Sequence, residues 1–249
     1  MSGINKACCS IPPIASTYQP KGTNLKLSNG VNAYVTGPAN AKLGIVHVYD
    51  IFGFHPATEQ VADLIAESLG ARLVMPDFWL GKPWSLEKFP PQKDLNEFSS
   101  WVKSAGDFNT KVKPLIEAAA TQLRSEGATK VGLIGLCWGS KMVAQAAKDC
   151  TDLIDGGAML HPAFLVLDDI KSAKVPLCIL PSKDEPDMTA YQKVLKEQGQ
   201  LNVFERFDDM HHGWCGARAD FDNELNRKRT HDAIKLVVHF FERLIASSA

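Results

Sequence analysis

The chain has 249 residues, long enough for one large α/β domain with a full core. Its 27 basic and 28 acidic residues nearly cancel, and no basic run or acidic tail points to nucleic acid. The longest apolar runs are strand-sized, which excludes a membrane-spanning helix.

The N-terminus, Met1 to Cys9, lacks a secretory apolar core, so the expected compartment is the cytoplasm. Residues 1–22 are turn-rich, with Pro12, Pro13 and Pro20, and read as a surface arm on a single domain spanning 1–249. Asn29-Gly30 between alternating runs in Leu25 to Val35 predicts a hairpin. Leu43 to Tyr49 reads as a buried strand, Ala57 to Leu69 as a helix and Ala71 to Met75 as the next strand. A long helix is expected within Phe108 to Arg124, then a strand over Lys130 to Leu136 and a helix after Gly139. Gly157 to Leu160 and Leu177 to Leu180 are short buried strands. Pro186 to Gln198 reads as a helix, Asn202 to Phe207 as a strand and Asn223 to Ile245 as a final long helix. Apolar strands alternating with helices imply a mostly parallel sheet covered on both faces.

Phe78 to Ser104 breaks this rhythm with Trp79, Trp84, Phe89, Pro90, Pro91, Phe98 and Trp101. Parallel strands open their binding crevice at their C-terminal ends. An aromatic insertion after the Leu73 strand is therefore a candidate lid or pocket wall; the plain alternative is a packed loop with a short helix.

Gly135-Leu136-Cys137-Trp138-Gly139 lies between a strand and a helix. This is the layout of a nucleophile elbow, in which a tight turn between glycines exposes the central side chain above a helix N-terminus. That central residue is cysteine here, and a helix N-terminus favours a thiolate. A buried structural thiol is the alternative. A cysteine nucleophile needs a base, and the base needs an orienting acid. Asp184 follows the Leu177 strand and His212 follows the last strand, so nucleophile, acid and histidine occur in the chain order of an α/β-hydrolase. His212 is preferred to His211 because Gly213 gives the loop room to turn. Asp187 is the reserve acid, although its place near a helix start suits a cap.

Oxyanion stabilisation calls for backbone N–H groups, assigned here to Trp138 and Ile51. Asp50 stands where a carboxylate can approach the thiol or cap the turn. His161 ends a strand at the same edge and is placed to shape the pocket. His47, inside a strand, reads as a satisfied core histidine. The six cysteines form no C-x-x-C pair and no zinc pattern. They are expected as free thiols, and nothing in the spacing supports a Cys9–Cys215 bridge. No metal or organic cofactor is required.

The Asp50-Ile51-Phe52-Gly53-Phe54 segment, the cysteine elbow and His212-Gly213-Trp214 together resemble the dienelactone hydrolase family over residues 25 to 246. Cys8-Cys9, Pro12-Pro13 and Tyr18 to Gly22 resemble its eukaryotic, fungal-like branch. The resemblance implies an α/β-hydrolase fold and hydrolysis of an enol-lactone or related ester. It carries over onto Cys137 as nucleophile, Asp184 as acid, His212 as base and the N–H groups of Ile51 and Trp138. Asp50 stands where bacterial members carry a thiol-gating glutamate. Arg218 matches one of the arginines that hold a substrate carboxylate, and the lid region offers Lys82, beside Trp84, in place of another. The expected partner is a small lactone or ester, with the chain a monomer or homodimer. A general carboxylesterase or thioesterase, a non-catalytic binding protein and a thiol redox sensor are the competing readings.

Overall fold

The computed structural model describes residues 11–90, 95–199 and 201–247. Cys8, Cys9 and Pro91 lie outside the described residues. Eight strands form one sheet in the order β1-β2-β4-β3-β5-β6-β7-β8. The strands are β1 (Thr23–Lys26), β2 (Asn32–Thr36), β3 (Leu43–Val48), β4 (Arg72–Pro76), β5 (Lys130–Leu136), β6 (Gly156–Leu160), β7 (Leu177–Leu180) and β8 (Val203–Phe204). The first two form the expected hairpin, and β2 pairs antiparallel with β4. From β4 to β8 every pairing is parallel.

The parallel centre explains the sequence pattern. Every residue of β3 and every residue of β5 after Lys130 is buried, because helices cover both faces. The helices are α1 (Pro56–Leu69), α2 (Leu95–Ala105), α3 (Lys113–Ser125), α4 (Trp138–Asp149), α5 (Leu167–Lys171), α6 (Thr189–Gln198) and α7 (Glu224–Ala246). A π-type turn, Phe108–Val112, leads into α3. Small residues in the strands admit the helices closely. A side chain at Gly132 would strike Phe241 of α7, and one at Gly44 would strike Leu123 of α3 on the other face. This is an α/β-hydrolase fold.

Three boundaries differ from the sequence expectation, and one helix falls inside the insertion. The helix expected from Pro186 begins at Thr189, since Asp187 Oδ1 accepts from Thr189 N–H at 2.9 Å and caps the turn. The strand expected over Asn202 to Phe207 shortens to two residues plus a bridge from Phe207 to Ser182, as the four-residue β7 offers little edge to pair with. The helix after Gly139 starts at Trp138. Within the insertion, Leu95–Ala105 forms a helix of 11 residues.

Residues 11–22 run without regular structure over α1. Asp63 of α1 fastens them, accepting from Tyr18 Oη at 2.8 Å and Lys21 N–H at 2.9 Å, while its other oxygen accepts from Tyr34 Oη at 2.7 Å. Ile14 N–H reaches Ala217 O, which ties this stretch to the loop that follows His212.

Candidate active site

Parallel pairing brings the C-terminal ends of β4, β3, β5, β6 and β7 to one edge, about 4.8 Å apart from strand to strand. Trp79, Ile51, Cys137, His161 and Glu185 follow those strands in that spatial order. Residues far apart in sequence are thus brought to one sheet edge, and the loop carrying His212 packs against His161 there.

Cys137 is the turn itself. Its φ of 52° and ψ of −112° are strained for a residue with a side chain. The flanking glycines make that turn possible. A Cβ on Gly135 would lie 2.3 Å from Gly139 O, and a Cβ on Gly139 would lie 2.3 Å from Val48 O. Cys137 N–H donates to Leu160 O at 3.1 Å and Cys137 O accepts from Ala163 N–H at 3.0 Å, so β6 and its loop fix the elbow. Cys137 is the N-cap position of α4, and Trp138 and Gly139 are its first two residues, whose N–H groups have no acceptor within the helix. The thiol is therefore held at the positive end of a helix dipole.

His212 is buried and gripped from two sides. Asp184, the acid expected from sequence, accepts from the backbone N–H of His212 at 2.8 Å. The imidazole itself is met by the next residue: Glu185 Oε1 lies 2.5 Å from His212 Nδ1. Ser182 N–H donates to the other Glu185 oxygen. The Glu185 side chain is fully buried. Asp184 thus ties the loop at its backbone, and the carboxylate that meets the imidazole is that of Glu185. The turn after β7 decides this, because only one of two adjacent residues can point toward the ring. A proton on Nδ1, facing the Glu185 carboxylate, leaves Nε2 as the basic atom.

His161 packs edge-on against His212, with ring centroids 5.0 Å apart, and against Trp214 at 5.6 Å. Burial, then the nearby His212 and Arg218, hold its pKa well below the usual range. Neither of its ring nitrogens has a hydrogen-bond partner among the described residues. His47 is the core histidine expected in β3, but among the described residues neither of its ring nitrogens meets a partner; burial pushes its pKa down to about 3.

The loop after β3 supplies the other wall. Asp50 Oδ1 accepts from Phe52 N–H at 2.9 Å, and Oδ2 accepts from Ala217 N–H at 3.3 Å. Asp50 therefore caps its own turn and ties it to the loop after His212. Burial raises its pKa, opposed by the Phe52 N–H and by Arg218. Ile51 O accepts from Trp84 N–H at 3.0 Å, while Ile51 N–H donates to no acceptor among the described residues. Arg218 is buried under Phe52, with its guanidinium carbon 5.3 Å from the ring centroid, and Nη1 donates to His212 O at 3.1 Å. Lys82 is exposed. Trp84 is buried against Phe98 and Trp101, at centroid distances of 5.0 and 5.3 Å, as part of the insertion's own core.

Cys150, Cys178 and Cys215 are buried free thiols. Among the described residues there is no cluster of histidine, cysteine and carboxylate groups fit to hold a metal, and no helix long and apolar enough to cross a membrane.

Residues 31–245 match the model of the dienelactone hydrolase family. An uncharacterized AIM2 family protein of Schizosaccharomyces pombe is 31% identical over 243 residues, covering 92% of this chain and 94% of the relative. The carboxymethylenebutenolidase homolog of Mus musculus is 29% identical over 226 residues, covering 86% of this chain and 88% of its own. The crystal structure of dienelactone hydrolase from Anabaena variabilis superposes with a TM-score of 0.64 at 15% identity, over 91% of this chain and 99% of that one, a likeness of fold. Family match, full-length relatives and a cysteine elbow on an α/β-hydrolase sheet agree: the chain belongs to the dienelactone hydrolase family of carboxylic ester hydrolases.

Proposed function

We propose that this protein hydrolyses a lactone or activated ester through Cys137, His212 and Glu185, by way of a thioester acyl-enzyme. The observation that carries the reading is the Glu185–His212 pair, 2.5 Å apart, at the same sheet edge as the strained elbow of Cys137. Cys137 Sγ attacks the carbonyl carbon, and the N–H groups of Ile51 and Trp138 meet the developing oxyanion. His212 Nε2 accepts the thiol proton as sulfur attacks, and collapse of the tetrahedral adduct breaks the acyl C–O bond, passes that proton from His212 to the leaving oxygen and leaves the acyl group on sulfur. His212 Nε2 then takes a proton from water, hydroxide attacks the thioester, and the thiol departs with that proton. Glu185 holds the imidazole in the tautomer this requires. Thiolate leaves the adduct more readily than an amine that lacks a proton donor, so enol esters, lactones and thioesters are favoured over amides.

Dienelactone is the natural first substrate by family, but the cation arrangement supports a wider range. Arg218 Nη1 donates to the His212 carbonyl and Lys82 is solvent-exposed, which supports a substrate that needs no carboxylate clamp. A carboxylesterase or thioesterase acting on a neutral acyl group is therefore the second reading. We place the enzyme in the cytoplasm, as a monomer or homodimer.

Cys137→Ala is the direct test, assayed against dienelactone, a linear aryl ester and an acyl-thioester. Loss of turnover on all three is expected, and their relative wild-type rates rank the substrate classes. Retention of full activity by the alanine variant ends this assignment.

A further inference from the structure

The insertion after β4 brings one indole against both arms of the proposed oxyanion site. Trp79 Nε1–H donates to Asp50 O at 3.0 Å. That carbonyl belongs to the same peptide unit as Ile51 N–H. A trans peptide directs its C=O and N–H to opposite sides, so a bond that fixes one fixes the other. Gly53 N–H donates to the same oxygen at 3.3 Å, closing the turn. A carbonyl that accepts hydrogen bonds also polarises its own N–H and makes it a better donor.

The same indole lies against the second donor. The ring centroids of Trp79 and Trp138 are 4.2 Å apart, and Trp138 is the residue after the nucleophile. Trp79 is itself held firmly. Its backbone N–H donates to Tyr49 Oη at 2.9 Å, and that hydroxyl donates to Asp77 Oδ1 at 2.9 Å. Trp101 of α2 covers it at a centroid distance of 4.3 Å. Trp79 is only 4% exposed, so water does not compete for Nε1–H.

We propose that Trp79 is the positioning residue of the oxyanion site, aiming the Ile51 N–H through the Asp50 carbonyl and fixing Trp138 by ring contact. It touches no reacting atom. The proposal rests on the assignment of Ile51 and Trp138 as donors in a Cys137-dependent hydrolase. It gives the aromatic insertion a task, since the indole orients groups that act only when charge develops on oxygen.

Trp79→Phe keeps a ring beside Trp138 and removes the N–H. Three measurements on it separate alignment from general disturbance: kcat and KM for ester hydrolysis, inhibition by an aldehyde analogue of the acyl group, and alkylation of Cys137 by iodoacetamide. The aldehyde adduct carries an oxyanion and alkylation does not. We expect kcat to fall about 10-fold, less than the 100-fold or more typical of deleting a donor outright, with KM little changed. Aldehyde inhibition is expected to weaken by a similar factor, and the alkylation rate to stay within about twofold of wild type. Unchanged turnover, or alkylation that slows in step with turnover, overturns the proposal. If Trp79→Phe does not fold, benzothienylalanine at position 79 keeps the fused ring and replaces N–H with sulfur, and the same outcomes decide. Cys137→Ala tests the underlying reading by itself: its loss of turnover alongside a fully active Trp79→Phe removes only this inference.

Discussion

Glu185 lies 2.5 Å from the Nδ1 atom of His212, while Asp184, its neighbour in the chain, holds the backbone N–H of the same histidine. Two adjacent carboxylates thus meet the same histidine at two places: one at its ring and the other at the backbone of the loop that carries it. Glu185→Gln replaces an obligate acceptor by an amide that can present its NH2 group to Nδ1 and favour the wrong tautomer. A fall in kcat of about 1000-fold or more is expected, by analogy with the ~10,000-fold loss when the triad aspartate of a serine protease becomes asparagine. Asp184→Asn retains an acceptor for the backbone and is expected to lose less than about 10-fold. Steady-state kinetics on both variants check this; the reverse ranking would return the acid role to Asp184.

The elbow glycines are steric necessities. Gly135→Ala places a methyl group 2.3 Å from Gly139 O, where only backbone can yield. Overpacking of a core typically costs about 1–3 kcal/mol, and here the neighbour is rigid, so a loss of about 3 kcal/mol is expected in urea unfolding. An unfolding midpoint equal to wild type would contradict the close approach.

Arg218 joins the site to its roof, donating to His212 O and lying under Phe52. Arg218→Met keeps a long apolar side chain and removes the guanidinium. A charged hydrogen bond contributes roughly 1.5–3 kcal/mol, so kcat/KM is expected to fall about 10-fold or more on neutral and anionic esters alike. A loss confined to anionic esters would assign the guanidinium to the substrate carboxylate instead.

Two buried histidines predict how stability changes with pH. His47, at about 3, and His161 both have folded-state pKa values below the ordinary 6.5, so the unfolded chain takes up protons that the folded chain refuses. Their contribution is complete above about pH 6.5 and is lost as pH falls toward the folded values, by up to ~1.4 kcal/mol per pH unit for each group. Asp50 and Glu59, whose pKa values are raised by burial, act in the opposite sense above the ordinary carboxylate range. Urea unfolding of His47→Leu between pH 4 and pH 7 isolates one histidine: a shallower dependence than wild type is expected, and an identical slope would refute it.

The elements were largely legible in the chain because each has a local cause. Central strands buried on both faces read as unbroken apolar runs, and Asn29-Gly30 marked its hairpin. Asn223 opens the last helix as its N-cap, accepting from Asn226 N–H at 2.9 Å. The boundaries that moved, at Thr189 and at the two-residue β8, depend on a loop cap and on the length of a neighbouring strand. Glu185 left a faint signal, a second acid directly before Pro186, but nothing local says which of two adjacent side chains turns inward.

The amino-acid order by itself determined the alternation of strand and helix, the glycine-flanked cysteine and the placing of acid and histidine loops after successive strands. Those are properties of neighbours in the chain, set by side-chain volume, backbone freedom and apolar period. Only the folded molecule decided that Glu185 meets the imidazole, that Asp50 serves its own turn and Ala217, and that Trp79 grips the Asp50–Ile51 peptide. Apart from the local cap of Asp50 on Phe52, each is a hydrogen bond between segments distant in the chain, and a bond of about 3 Å depends on orientations that sequence spacing does not encode.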